Sequence, residues 1–159
     1  MIRPVMPSDI QQILILAEMM HAEGKYKHLD FNRAKFGNFI LDLMKSKSLV
    51  GFVSEKEGKI VGVILSFLTE YFFGNDVFLQ GLGFYVLPEK RKGKVAARLL
   101  EEWVKTVNAI KAKEGCMPAT SVSDLEARKL LCAKAGLEPT VYSTIIEQHD
   151  NQVDMHSAA

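Results

Sequence analysis

Apolar residues at Ile10, Ile13, Leu14, Ala17 and Met20 recur at the spacing of one helix face, and Gly24 closes the run. Ser8-Asp9-Ile10-Gln11 ahead of it reads as a capping box, the serine oxygen and glutamine side chain satisfying early N–H groups. A second helical face, Phe36, Phe39, Ile40, Leu43 and Met44, starts from Asp30 or Asn32. Residues 2–5 predict a first strand, closed by Pro7. Residues 49–54 and 59–67 predict a hairpin turning at Glu57-Gly58-Lys59. Gly74-Asn75-Asp76 turns the chain into a strand over 77–86, where Gly81 and Gly83 mark a bulge.

The longest helix starts at Val95 or Ala96, buries Ala96, Leu99, Leu100, Trp103, Val104 and Val107, and ends at Gly115. Residues 117–122 form a buried strand. Ser123-Asp124-Leu125-Glu126 caps a further helix, with Ala127, Leu130 and Leu131 inward and Gly136 at its end. Residues 140–147 give the last strand, and 148–159 form a polar tail without a core pattern. The order β-α-α-β-β-β-α-β-α-β predicts one three-layer α/β domain over residues 1–147, with a mixed sheet and helices on both faces.

Composition narrows the function classes. The chain has 159 residues, 48% hydrophobic and 25% charged, which fits one globular domain and neither a disordered nor a membrane class. A net charge of +1 argues against a general nucleic-acid binder. Cys116 and Cys132 make no disulfide framework, which fits a reduced cytoplasm. His21, His28, His149 and His156 show no metal-ligand spacing with them.

The basicity is local. Residues 86–101 read VLPEKRKGKVAARLLE: a strand ends, basic residues and a glycine follow, and a helix begins at once. Free backbone N–H groups and the helix dipole favour an anion there, and Arg91, Lys92 and Lys94 add positive charge. The pattern suits a pyrophosphate.

The element order and this loop resemble the GNAT superfamily of acyl-CoA-dependent N-acyltransferases, whose motif reads Arg/Gln-x-x-Gly-x-Gly/Ala. Arg91-Lys92-Gly93-Lys94-Val95-Ala96 is the matching register. Arg91 and Ala96 fit, Lys94 takes the central glycine's place, and Arg98-Leu99-Leu100-Glu101 matches downstream. The resemblance implies a central sheet of six to seven strands. It implies acetyl-CoA as cosubstrate, its pyrophosphate on the loop N–H groups of Arg91, Lys92, Gly93, Lys94, Val95 and Ala96. Phe84, Tyr85 and Val86 would run beside the pantetheine arm, between the fourth and fifth strands, and a backbone N–H near Val86 would polarise the thioester carbonyl.

Met20-His21-Ala22-Glu23-Gly24-Lys25-Tyr26 and Phe31 resemble bacteriophage-encoded members, which implies an infected bacterial cell's cytoplasm or a virion. By position, His21, Glu23 and Tyr26 would bind an amine acceptor, a small molecule or a peptide, across the sheet from the loop. Glu23 is a candidate base, as are Glu70 and Asp76, since the fourth strand offers Gln80 instead of a carboxylate. Relatives often carry a tyrosine acid in the last helix; Cys132 takes its place, and Tyr142 is the substitute. The first reading is a direct acetyl transfer to a primary amine. The alternative is a GNAT fold kept as a structural or interaction module, in a homo-oligomer or with a virion partner, with exposed Phe72-Phe73 as a contact patch.

Overall fold

The computed structural model describes residues 1–110, the strand Glu114–Gly115 and Ala133. The strands are β1 (Ile2–Pro4), β2 (Leu49–Lys56), β3 (Lys59–Glu70), β4 (Val77–Val86) and β5 (Glu114–Gly115); the helices are α1 (Ile10–Glu23), α2 (Arg33–Lys45) and α3 (Val95–Ala109). The sheet order is β1-β2-β3-β4-β5, antiparallel except for the β4–β5 pair. Five strands are described, fewer than the six or seven expected. The predicted elements beyond residue 115 lie outside the described residues, as does the tail.

Helices cover both sheet faces. Ile13, Leu14 and Leu16 of α1 and Ile40 of α2 pack on Val53, Val63, Leu65 and Tyr85. Leu99, Leu100 and Trp103 of α3 pack on Val50, Ile64, Phe84 and Val86 of the opposite face. The indole N–H of Trp103 donates to the Ser66 hydroxyl at 2.8 Å, which donates to the Val50 carbonyl at 2.9 Å. This fully buried polar pair satisfies the one awkward donor in that layer.

Bulges decide which side chain faces which layer. Leu65 pairs with Gly83 and Ser66 with Gly81, so Leu82 is an extra residue on β4, where the two glycines predict a bulge. It switches the alternation: Leu79 faces α3 before it, and Phe84 and Val86 face α3 after it. Tyr85 is thereby aimed at α1. Glu57 and Gly58, both at positive φ, close the predicted β2–β3 hairpin.

Two local expectations are corrected. The Ser8–Gln11 capping box does not form: α1 has no side-chain cap bond, and the Asp9 carboxylate instead closes the tight turn Pro7–Asp9 ahead of it. That carboxylate accepts the Met6 N–H at 2.8 Å and two Arg3 donors at 2.7 and 2.9 Å, while the Arg3 Nε reaches Glu55 at 2.8 Å. An ionised, doubly gripped carboxylate outcompetes a serine hydroxyl. The second correction is the end of α3, at Ala109 rather than Gly115. Ile110 turns extended, and Glu114–Gly115 pairs with Phe78 and Leu79 as a strand. Asn32 caps α2 as expected, accepting the Lys35 N–H at 2.9 Å.

Arg3 hydrogen bonds, against a smaller opposing effect of burial, hold the Asp9 carboxyl below its ordinary value. That stabilisation is present above the unfolded carboxylate pKa and is lost as pH falls through the lower folded value. Asp9→Asn is expected to cost about 3 kcal/mol at neutral pH, the low end for a broken buried pair because Glu55 still holds Arg3. Urea unfolding at pH 7 and at pH 2.5 checks it: the gap between variant and parent should shrink in acid.

Candidate functional site

Strand β4 delivers the chain to the site. Pro88–Lys90 makes a tight helical turn, with the Lys90 N–H on the Leu87 carbonyl at 2.8 Å, and the Gly93 N–H reaches the Lys90 carbonyl at 3.2 Å. Helix α3 follows with Lys94 as its cap residue. The Lys94 side chain makes no cap bond, among the described residues no side chain accepts from the first N–H groups, and the first turn holds no acid. The first helical bond is Arg98 N–H to the Lys94 carbonyl at 3.0 Å, so the N–H groups before it have no intrahelical acceptor. Lys92 and Lys94 are exposed beside them. Lys94 has φ −87°, ordinary for a side-chain-bearing residue, so its standing where the motif has glycine strains nothing.

The helix sits where it does because of Gly62. A Cβ there would meet Leu99 Cδ1 at 3.0 Å, Val95 Cγ1 at 3.1 Å and Val86 Cγ2 at 3.2 Å. The bare backbone lets the first turn of α3 rest on β3 beside the end of β4. The Leu87 N–H bonds to the Val61 carbonyl of β3 at 3.0 Å. By strand alternation the Val86 N–H faces the opposite edge, which β5 pairs further along, at Phe78 and Leu79. The expected parting of β4 from its neighbour involves residues 116–122, outside the described residues.

Arg91 does not reach toward α3. Its Nε donates to the Val86 carbonyl at 2.9 Å and its terminal nitrogen to Glu23 at 2.6 Å, and the guanidinium stands 5.1 Å from the Tyr85 ring centroid. The Tyr85 hydroxyl donates to the other Glu23 oxygen at 2.5 Å. Gly83 permits this approach of α1 to β4, since a Cβ there would lie 3.0 Å from Met20 Cε. Burial pushes the Glu23 carboxyl up, but the Tyr85 and Arg91 hydrogen bonds and the Arg91 charge outweigh it and leave the group below its ordinary value. Burial first, then Glu23, pushes the Tyr85 phenol up to about 12. Both carboxylate oxygens of Glu23 are engaged, which suits it poorly to remove a proton.

The segment expected to meet the acceptor touches the loop directly, through Glu23 and Arg91, instead of facing it across the sheet. His21 Nε2 lies 2.8 Å from the Leu29 carbonyl, and its ring packs 5.3 Å from Phe31. Phe31, Asn32, Lys35 and Phe36 line a cleft of about 520 Å³. Tyr26 is half exposed, under the Lys25 ammonium at 5.1 Å. The Gln80 amide turns to the Gly81 carbonyl at 3.2 Å, and Glu70 and Asp76 stand at the β3–β4 tip beside the exposed Phe72 and Phe73. Cys132 and Tyr142 lie outside the described residues. Among the described residues no group of three His, Cys, Asp or Glu is placed to hold a metal.

No protein-family model matches this sequence, and no curated protein matches it. Solved structures do match in shape. A ribosomal-protein-alanine N-acetyltransferase from Brucella melitensis superimposes with TM-score 0.63 at 14% identity, over 92% of this chain and 98% of that one. An aminoglycoside 6'-N-acetyltransferase from Acinetobacter haemolyticus gives TM-score 0.64 at 17% identity, over 94% and 98%. AAC(6')-Iy, solved with the bisubstrate analogue CoA-S-monomethyl-acetylneamine, gives 0.66 at 18% identity, over 94% and 97%. The chain has the GNAT fold.

In this chain the strand, the loop and the helix that carry the motif are all present, and Gly62 seats the helix. Sequence reasoning missed three things: the Glu23–Arg91–Tyr85 cluster, the Ser66–Trp103 pair and the role of Gly62. Only Gly62 carried a signal, a glycine inside an apolar β-branched run. Tyr85→Phe is expected to cost about 1.5–3 kcal/mol, the range for a hydrogen bond to a charged group. It should also move the Glu23 carboxyl up towards its ordinary value. Denaturant unfolding reads the first effect, and carbon-detected titration of the Glu23 carboxyl the second. A carboxyl that does not move would place the phenol outside the cluster.

Proposed function

We propose that the chain is an acyl-CoA-dependent N-acetyltransferase that moves an acetyl group from acetyl-CoA to a primary amine. One observation carries the reading: the uncapped, acid-free start of α3, flanked by Lys92 and Lys94, at the end of β4. An unfilled helix N-terminus beside exposed cations fits a pyrophosphate. The fold shared with N-acetyltransferases supports it, including one solved with a CoA-containing analogue.

When bound, acetyl-CoA supplies an activated thioester. The N–H groups at the start of α3 would hold the pyrophosphate, with Lys92 and Lys94 adding charge. The Val86 N–H, on the edge of β4 away from β3, would donate to the carbonyl oxygen as charge develops on it. The acceptor nitrogen would attack the thioester carbonyl carbon as the free amine; the C–N bond forms, the C–S bond breaks with CoA leaving as its thiolate, and the proton lost by nitrogen reaches that thiolate through water, since both Glu23 oxygens are engaged. Phe31 and its neighbours, backed by His21, would border the acceptor; among the solved relatives an aminoglycoside 6'-N-acetyltransferase and AAC(6')-Iy favour a small polyamine. The likeness of residues 20–26 to phage-encoded members supports a setting in an infected bacterial cell's cytoplasm or in a virion.

A second reading, a GNAT fold retained for interaction, is favoured by Phe72, 95% exposed, at the β3–β4 tip. Calorimetry separates the two. Acetyl-CoA should bind, and Lys94→Glu should weaken binding at least about tenfold by placing an acid at the helix start, a loss of ~1.4 kcal/mol or more. No binding by the parent at millimolar acetyl-CoA would refute the enzyme reading.

A further inference from the structure

We propose that Glu23 is a positioning residue for the cofactor loop: by holding Arg91 against Tyr85 and the end of β4, it fixes the path of residues 88–94 into α3, and it is not the base for the acceptor. This deepens the acetyltransferase reading and rests on it.

The geometry is that of a clamp. The Arg91 guanidinium makes one bond back to its own strand end, at Val86, and one to the last residue of α1, at Glu23. The guanidinium carbon stands 5.1 Å from the centroid of the Tyr85 ring. Two different nitrogens of the donor fork are used at once beside an aromatic ring, which lysine cannot reproduce. Arg91 is also the residue at which the tight turn ends, so fixing its side chain fixes the loop backbone leading to Lys94. Among the described residues, that loop is otherwise ordered by local backbone hydrogen bonds at Lys90, Arg91 and Gly93. The clamp also joins two segments with separate tasks, since Glu23 is the last helical residue before the stretch that leads to His28, Leu29 and Phe31. Arg91, with its charge matched by Glu23, acts on CoA through the loop; the direct cations are Lys92 and Lys94.

The opposite arrangement makes an opposite forecast. If Arg91 is a phosphate ligand that Glu23 merely occupies in the free protein, removing the Glu23 charge frees it and tightens CoA binding. A double-mutant cycle decides. CoA affinity is measured by calorimetry for the parent, Glu23→Gln, Arg91→Gln and the double variant, at low and moderate salt. The clamp predicts that each single change weakens CoA about tenfold and that the double is no weaker than either single. It also predicts that Arg91→Gln keeps the parent's salt dependence, because no phosphate contact is lost. Arg91→Lys should not rescue.

Unchanged or tighter binding in Glu23→Gln, additive losses, or a flattened salt dependence in Arg91→Gln would each overturn the proposal. Thermal midpoints for every variant separate these effects from loss of fold. If the parent does not bind CoA, the acetyltransferase reading has failed, and the clamp is judged alone by amide hydrogen exchange. Glu23→Gln must then speed exchange at the Arg91 and Gly93 N–H groups at least about tenfold while leaving the β3–β4 ladder protected. Unchanged exchange there would overturn the clamp.

Discussion

The seat of α3 on Gly62 is the constraint from which the site follows. A helix this close to a sheet needs a residue without a side chain beneath it, and here Leu99, Val95 and Val86 already fill the space a Cβ would take. The contact brings the first turn of α3 level with the end of β4. The helix then starts directly after a short basic loop, its first N–H groups uncapped. Leu99, Leu100 and Trp103 anchor the rest of the helix, with Ser66 absorbing the indole donor. Burial of that apolar stripe stabilises the position; the dipole and the lysines give it a use.

A second close approach, α1 over Gly83, brings Glu23 to Tyr85 and Arg91. It depends on the β4 bulge, because only the switch in alternation at Leu82 aims Tyr85 at α1 while Phe84 and Val86 stay under α3. One extra residue thus lets β4 serve both layers. Glu23, the carboxylate brought here, is thereby held as an ion-paired anchor.

Much of this was legible in the sequence, for physical reasons. The helical faces of 10–20 and 36–44 and the hairpin at Glu57-Gly58 are local patterns, and local physics sets them. The strand-loop-helix at 86–101 was legible for the same reason. The misreadings came from distance. The Ser8 capping box loses to Asp9 only because Arg3 and Glu55 arrive from other strands. The end of α3 is set by pairing of Glu114 and Gly115 with β4, which no helical pattern announces. The pairing of Arg91 with Glu23 was not legible either, since nothing local shows that residue 23 stands opposite residue 91.

The central claim is that the start of α3 is an anion site. Amide chemical shifts on titration with CoA test it most directly. The N–H groups of Val95, Ala96 and Ala97 should move downfield together and saturate with one affinity, and those of β1 and β2 should stay still. Saturation with those three amides unmoved, or with the largest shifts on the α1–α2 face, would contradict the account.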